Sequence, residues 1–108
     1  MVAADGRALA RSPRRIWVGS RCVPKGYAAL GDQLRRASTS IPLNLAEGTG
    51  KFDKDARRFY AIARGSALEC AAIIDTFKVL GFLNGVAYDQ AQTLLDRIVA
   101  MLTVMIRD

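Results

Sequence analysis

Between Tyr27 and Leu45 the residues Tyr27, Leu30, Leu34, Ala37, Ile41 and Leu45 recur at spacings of three and four, which is the pattern of one helix face. A proline stands inside this run. Pro42 has no N–H to give the carbonyl of Ser38, and its ring crowds that carbonyl. Ser38, Thr39 and Ser40 come directly before it, with hydroxyls that can take up the freed carbonyl or bend the backbone further. Asn44 falls on the apolar seam, three residues after Ile41, and Glu47-Gly48 supply an acid and a C-terminal stop. The expectation is a helix over Lys25–Glu47, bent near Pro42. Polar groups turned inward at a bend require either a compensating network or a site.

The remaining segments read as helices joined by short connections. Thr49–Phe52 links to a helix from Asp53, the expected N-cap, to about Leu80, with Asp55 near the positive end of its dipole. Its expected stripe is Phe59, Ile62, Ser66, Cys70, Ile73, Phe77 and Leu80, and Gly81 ends it in the left-handed conformation. A last helix is expected over Val86–Ile106, where Ala91, Leu94, Ile98, Met101 and Met105 keep a heptad spacing. Leu95, Val99, Leu102, Val104 and Ile106 widen its apolar surface beyond one seam. Upstream, Ser12-Pro13 suits a helix start, and a short helix through Arg14–Val18 is weakened by Gly19 and stopped by Pro24. Residues 1–12 are expected to be disordered and 13–108 to form one helical domain. Short loops make neighbours antiparallel.

Residues 33–48, QLRRASTSIPLNLAEG, with ARGSALE at 63–69, resemble the four-helix-bundle family that includes proteins encoded in 23S rRNA intervening sequences. The accessory proteins of diversity-generating retroelements are similar. The resemblance runs from about Tyr27 to the C-terminus. It implies an all-α, antiparallel up-and-down four-helix bundle with a shortened or degraded first helix and a Pro-kinked second helix. A misassigned start would explain the same shortening. The resemblance further implies a ring-shaped homopentamer and association with nucleic acid and with a reverse transcriptase.

Charge points the same way. The chain of 108 residues carries a net charge of +6. Residues 1–52 hold nine Lys/Arg against three Asp/Glu, while 53–108 hold seven of each. A one-sided positive field suits an anionic partner, nucleic acid first among them; the alternative is an ordinary solvated charged face. The candidate nucleic-acid-binding residues are Arg14, Arg15, Arg35, Lys51, Lys54, Arg57 and Arg58. With few aromatics near them, namely Trp17 and Tyr60, backbone or shape recognition is expected over base readout, and RNA over DNA. The apolar last helix supports a second reading, a protein-interaction scaffold that binds no nucleic acid.

Enzymatic chemistry has little to work with. Histidine is absent, so neither an imidazole base nor an imidazole ligand exists. Ser66 lies in Gly-Ser-Ala without a nucleophile-elbow pattern, and no phosphate-loop or dinucleotide fingerprint occurs. Two isolated cysteines, Cys22 and Cys70, give no metal spacing and no disulfide framework. Cofactors and metal are expected to be none. Arg36, Asn44, Glu47, Arg64, Ser66 and Glu69 are expected to form a buried structural polar network, with Glu47 and Glu69 as the sharper candidates for catalysis. Gly65, next to Ser66, is read as a point of close helix approach, or alternatively as one wall of a ligand pocket. Without a secretory apolar segment or a membrane-length run, the expected location is cytoplasmic.

Overall fold

A computed structural model describes residues 24–107, and among these it contains three α-helices and no strand. They are α1 (Ala28–Thr49), α2 (Asp53–Val79) and α3 (Gly85–Arg107). The expected helix through Arg14–Val18 lies outside the described residues, as do Cys22 and residues 1–12. Within them the chain is all-α. The helices form a rod 47 × 25 × 21 Å in extent, set by the length of α2, about 40 Å at 1.5 Å per residue.

Each boundary has a local cause. Tyr27 N–H donates to the carbonyl of Pro24 across a turn with Gly26 at φ +98°, so α1 begins at Ala28 rather than at Lys25. Gly48 does not stop the helix; α1 runs to Thr49 and is closed by the Gly50 N–H, which donates to Glu47. Asp53 is not the N-cap of α2. Phe52 holds that position in an extended conformation with no side-chain cap, and Asp53 adopts φ +45°. At the other end the expectation for Gly81 holds: φ is +83°, Gly81 N–H donates to Lys78 and Phe82 N–H donates to Phe77. This pair of bonds is a Schellman motif, and its hydrophobic contact is Phe82 against Phe77, with centroids 5.7 Å apart. Helix α3 begins at Gly85 because Asn84 Oδ1 accepts from Ala87 N–H at 2.7 Å.

Helix α2 is the centre of the molecule. It packs against both α1 and α3, whose Cα atoms stay more than 8 Å apart. The neighbours are antiparallel, as Gln33–Glu69, Ser40–Ser66, Arg64–Thr103 and Asp75–Tyr88 contacts show. The core gathers Leu34 and Ala37 of α1, Cys70, Ile73, Ile74 and Phe77 of α2, and Leu83 of the second connection. Leu30, Ile41, Phe82, Ala87, Tyr88, Ala91 and Leu95 close around it.

Two expected stripes are shifted. In the first half of α2 the buried residues are Ala56, Ala63 and Ala67, while Ile62 is exposed and Phe59 and Ser66 are only half-buried; at its end Leu80 is exposed. In α3 the seam runs through Ala91, Leu95, Ile98 and Leu102, with Leu102 at 0% exposure. Leu94 and Met101 lie outward, 57% and 45% exposed. In α2 the cause is that alanine lets the backbones approach closely and so ends up inside, although a count of large apolar residues gives it little weight. Gly65 is also corrected. A Cβ there would meet nothing within 4 Å, so this glycine creates no close helix approach.

Candidate functional site

Pro42 stands inside α1 without interrupting it, and the polar side chains around it bond in several directions. Ser38 Oγ and Thr39 Oγ1 donate to the carbonyl of Arg35 at 3.0 and 2.7 Å, and Thr39 also reaches Arg36. The hydroxyls therefore bond carbonyls upstream of the one that Pro42 frees. Asn44 Nδ2 donates to both the carbonyl and Oγ of Ser40, each at 2.9 Å, and Ser66 Oγ of α2 donates to Ser40 Oγ at 2.8 Å. This half-buried trio ties the proline turn of α1 to α2.

The expected six-residue buried network is not what the helices assemble. No polar or charged residue among those described is fully buried. Asn44 and Ser66 meet through Ser40. Glu47 is exposed and faces Lys51 at 3.6 Å. Glu69 is exposed and accepts from Gln33 at 3.0 Å. Half-buried Arg64 donates through Nε to Thr103 of α3 at 2.7 Å, and Arg36 is exposed. The two carboxylates are too far toward solvent to be stranded charges. Gln33, Ser40 and Thr103 were not expected in this network, because an isolated polar side chain on a helix face carries no periodic signal.

The same geometry bears on chemistry. Ser66 donates to a hydroxyl rather than to a base. Burial, reinforced by the neighbouring Glu69 carboxylate, raises the Cys70 thiol above its ordinary range, which disfavours the thiolate. Among the described residues no group of three His, Cys, Asp or Glu is placed to hold a metal ion.

The basic candidates separate into two places. Lys51, Lys54, Arg57 and Arg58 come together at the corner where α1 passes into α2, all exposed. Lys51 and Arg58 flank the ring of Phe59, with Nζ 6.0 Å and the guanidinium 4.9 Å from its centroid. Lys54, Arg57 and Arg58 have no ion-pair partner among the described residues. Glu47, Asp53 and Asp55 share the corner, so its net charge is small and its free cations matter more than its sum. Arg35 is elsewhere on α1, about 24 Å along the axis from Lys51, and pairs with Asp32 at 3.4 Å. Arg14 and Arg15 lie outside the described residues.

Two features of the corner escaped the sequence reading. Phe52 is 87% exposed between Lys51 and Asp53. Antiparallel packing also brings the end of α3 to this side, where Arg64, Thr103 and Arg107 line a shallow open groove with Ala61 and Ile106. Tyr60, the aromatic expected near the cations, is occupied instead by the close approach to Gly48.

No helix among the described residues is long and apolar enough to cross a membrane. Comparison with curated proteins finds no match. The family model described as 23S rRNA-intervening sequence protein matches residues 15–104, and the chain belongs to that family.

Proposed function

We propose that this chain is a non-enzymatic helical protein that binds the sugar-phosphate backbone of nucleic acid, RNA over DNA, through the α1–α2 corner as a homo-oligomer. The observation that carries this reading is the exposure of Lys54, Arg57 and Arg58 over the first turns of α2 without ion-pair partners among the described residues. Cations at successive helix positions track phosphates and contact no base edge, so they give affinity without sequence readout. The family takes its description from intervening sequences of 23S rRNA, which makes RNA the first polymer to test.

The test is binding of purified protein to labelled RNA across a salt series. Each phosphate neutralised contributes about −0.7 to −0.9 to the slope of log affinity against log salt. Binding is expected to weaken steeply with salt. Arg57→Glu with Arg58→Glu is expected to abolish it without changing the mass of the particle. A slope near zero would remove the reading. The exposed residues Leu94, Met101 and Val104 of α3 favour a second reading, a protein-interaction scaffold such as a reverse-transcriptase accessory. That reading gives no salt-dependent RNA binding at all.

A further inference from the structure

Phe52 is the most exposed large apolar residue described, at 87%. It stands in extended conformation, φ −112° and ψ 144°, at the corner where α2 begins. Phe59, seven residues on, is half-buried and has its face engaged by Arg58 and Lys51. The ring of Phe52 has no aromatic or cation partner among the described residues. A large aromatic ring left in water beside free cations is a poor contributor to the fold, since it buries almost nothing. It has the form of a stacking platform next to phosphate-binding groups.

We infer that Phe52 stacks on an unpaired nucleobase whose flanking phosphates are held by Lys54, Arg57 and Arg58. The inference rests on the proposed nucleic-acid binding and narrows it to a single-stranded or looped segment, because a duplex keeps its bases stacked within itself. Charge complementarity selects this occupant over an apolar protein surface: Lys51 and Lys54 lie within two residues of the ring, and an apolar partner would have to desolvate them. Glu47, Asp53 and Asp55 at the same corner oppose a close approach of phosphate on their side. The polymer is therefore expected to run along the α2 face that carries Arg57 and Arg58.

The experiment uses the full chain and three fluorescein-labelled probes: a single-stranded RNA of roughly twelve nucleotides, an abasic strand of equal length, and the matching duplex. The wild-type protein is expected to prefer the base-bearing single strand over the abasic one by about tenfold, from a stacking contribution of about 1–3 kcal/mol per base. Phe52→Leu, which keeps apolar bulk without a π-face, is expected to erase that preference. Its salt slope and particle mass should stay those of the wild type. Phe52→Trp is expected to keep the preference. Equal wild-type affinity for base-bearing and abasic strands, or an undiminished preference in Phe52→Leu, overturns the inference while leaving phosphate binding intact. A changed mass in Phe52→Leu makes Phe52 a subunit contact and also overturns it. Salt-independent or absent binding of every probe by the wild-type chain is the failure of the underlying reading.

Discussion

Ser40 accepts two hydrogen bonds through one oxygen, from Ser66 across the helix interface and from Asn44 one turn on. Replacing it with alanine leaves the half-buried Ser66 hydroxyl without its acceptor, and Asn44 keeps only the Ser40 carbonyl. The expected cost is about 1–2 kcal/mol, the desolvation of groups left unpaired. Glu47→Ala removes only an exposed pair with Lys51 and is expected to stay within about 0.5 kcal/mol. Urea unfolding of the two variants checks the order. A cost above about 2 kcal/mol for Glu47→Ala would mean that this carboxylate is buried against another chain. The motif at residues 33–48 was legible as a place where polar groups cluster around a proline. Which of them turn inward was not: the long carboxylates reach solvent, and a serine too short to do so became the hub.

At the scale of the elements, two glycines on facing helices have opposite roles. A Cβ on Gly48 would lie 2.5 Å from the Tyr60 ring, so the α1–α2 corner closes only with glycine or with a displaced ring. Gly65 borders open space and only weakens the interior of α2. Gly65→Ala is expected to stabilise by about 0.5–1 kcal/mol, raising Tm by a few degrees. Gly48→Ala is expected to destabilise by about 1–2 kcal/mol by overpacking. In a Tyr60→Ala background the same change should turn stabilising, since only its helix propensity remains. Calorimetry on this double-mutant cycle decides; a Gly48→Ala cost that survives without Tyr60 would point to another neighbour. The existence, length and order of α1, α2 and α3 were readable because large apolar residues repeat over many turns and Gly81 stops α2. Their inward faces were less so. Ala56, Ala63 and Ala67 occupy the α2 interior where Phe59 and Ile62 were expected, and α3 turns Leu95 and Leu102 inward instead of Leu94 and Met101. A helix that contacts two neighbours also buries a broader face than one stripe. At the corner, Phe52 gave no signal, because a lone aromatic in a loop is indistinguishable in sequence from a core residue. The family match begins at residue 15, upstream of the point near Tyr27 where the resemblance was expected to fade.

At the scale of the molecule, the described helices leave apolar residues exposed. Helices α1 and α3 each pack on α2, and their Cα atoms stay more than 8 Å apart. Leu94, Met101 and Val104 stand exposed on α3, with Ile98 and Met105 half-buried between them and the core. A contiguous apolar stripe of this kind is a feature of interaction surfaces. Leu94 and Met101 belong to the heptad expected from the sequence, so part of that expected stripe is left outward. Self-association through it is the expected outcome, and the family resemblance implies a closed ring of five. Closure would repeat the α1–α2 corner around an axis. Lys54, Arg57 and Arg58 of one chain would hold phosphates weakly, but copies on one rigid ring would bind as a multivalent array. Light scattering coupled to size exclusion, at micromolar protein, is expected to give a multiple of the 11.7 kDa chain mass. Leu94→Glu with Met101→Glu should lower that mass to one chain while the helical circular dichroism persists, because neither side chain supports the α2–α3 seam that Leu102 fills. The dissociated variant should keep the single-chain contacts of Lys54, Arg57 and Arg58 yet lose most of the affinity for long RNA, with a shallower salt slope. A wild-type particle of 11.7 kDa refutes the assembly, and a dimer keeps assembly but rejects the ring. Unchanged mass in the double variant moves the interface off α3 to another face of the molecule.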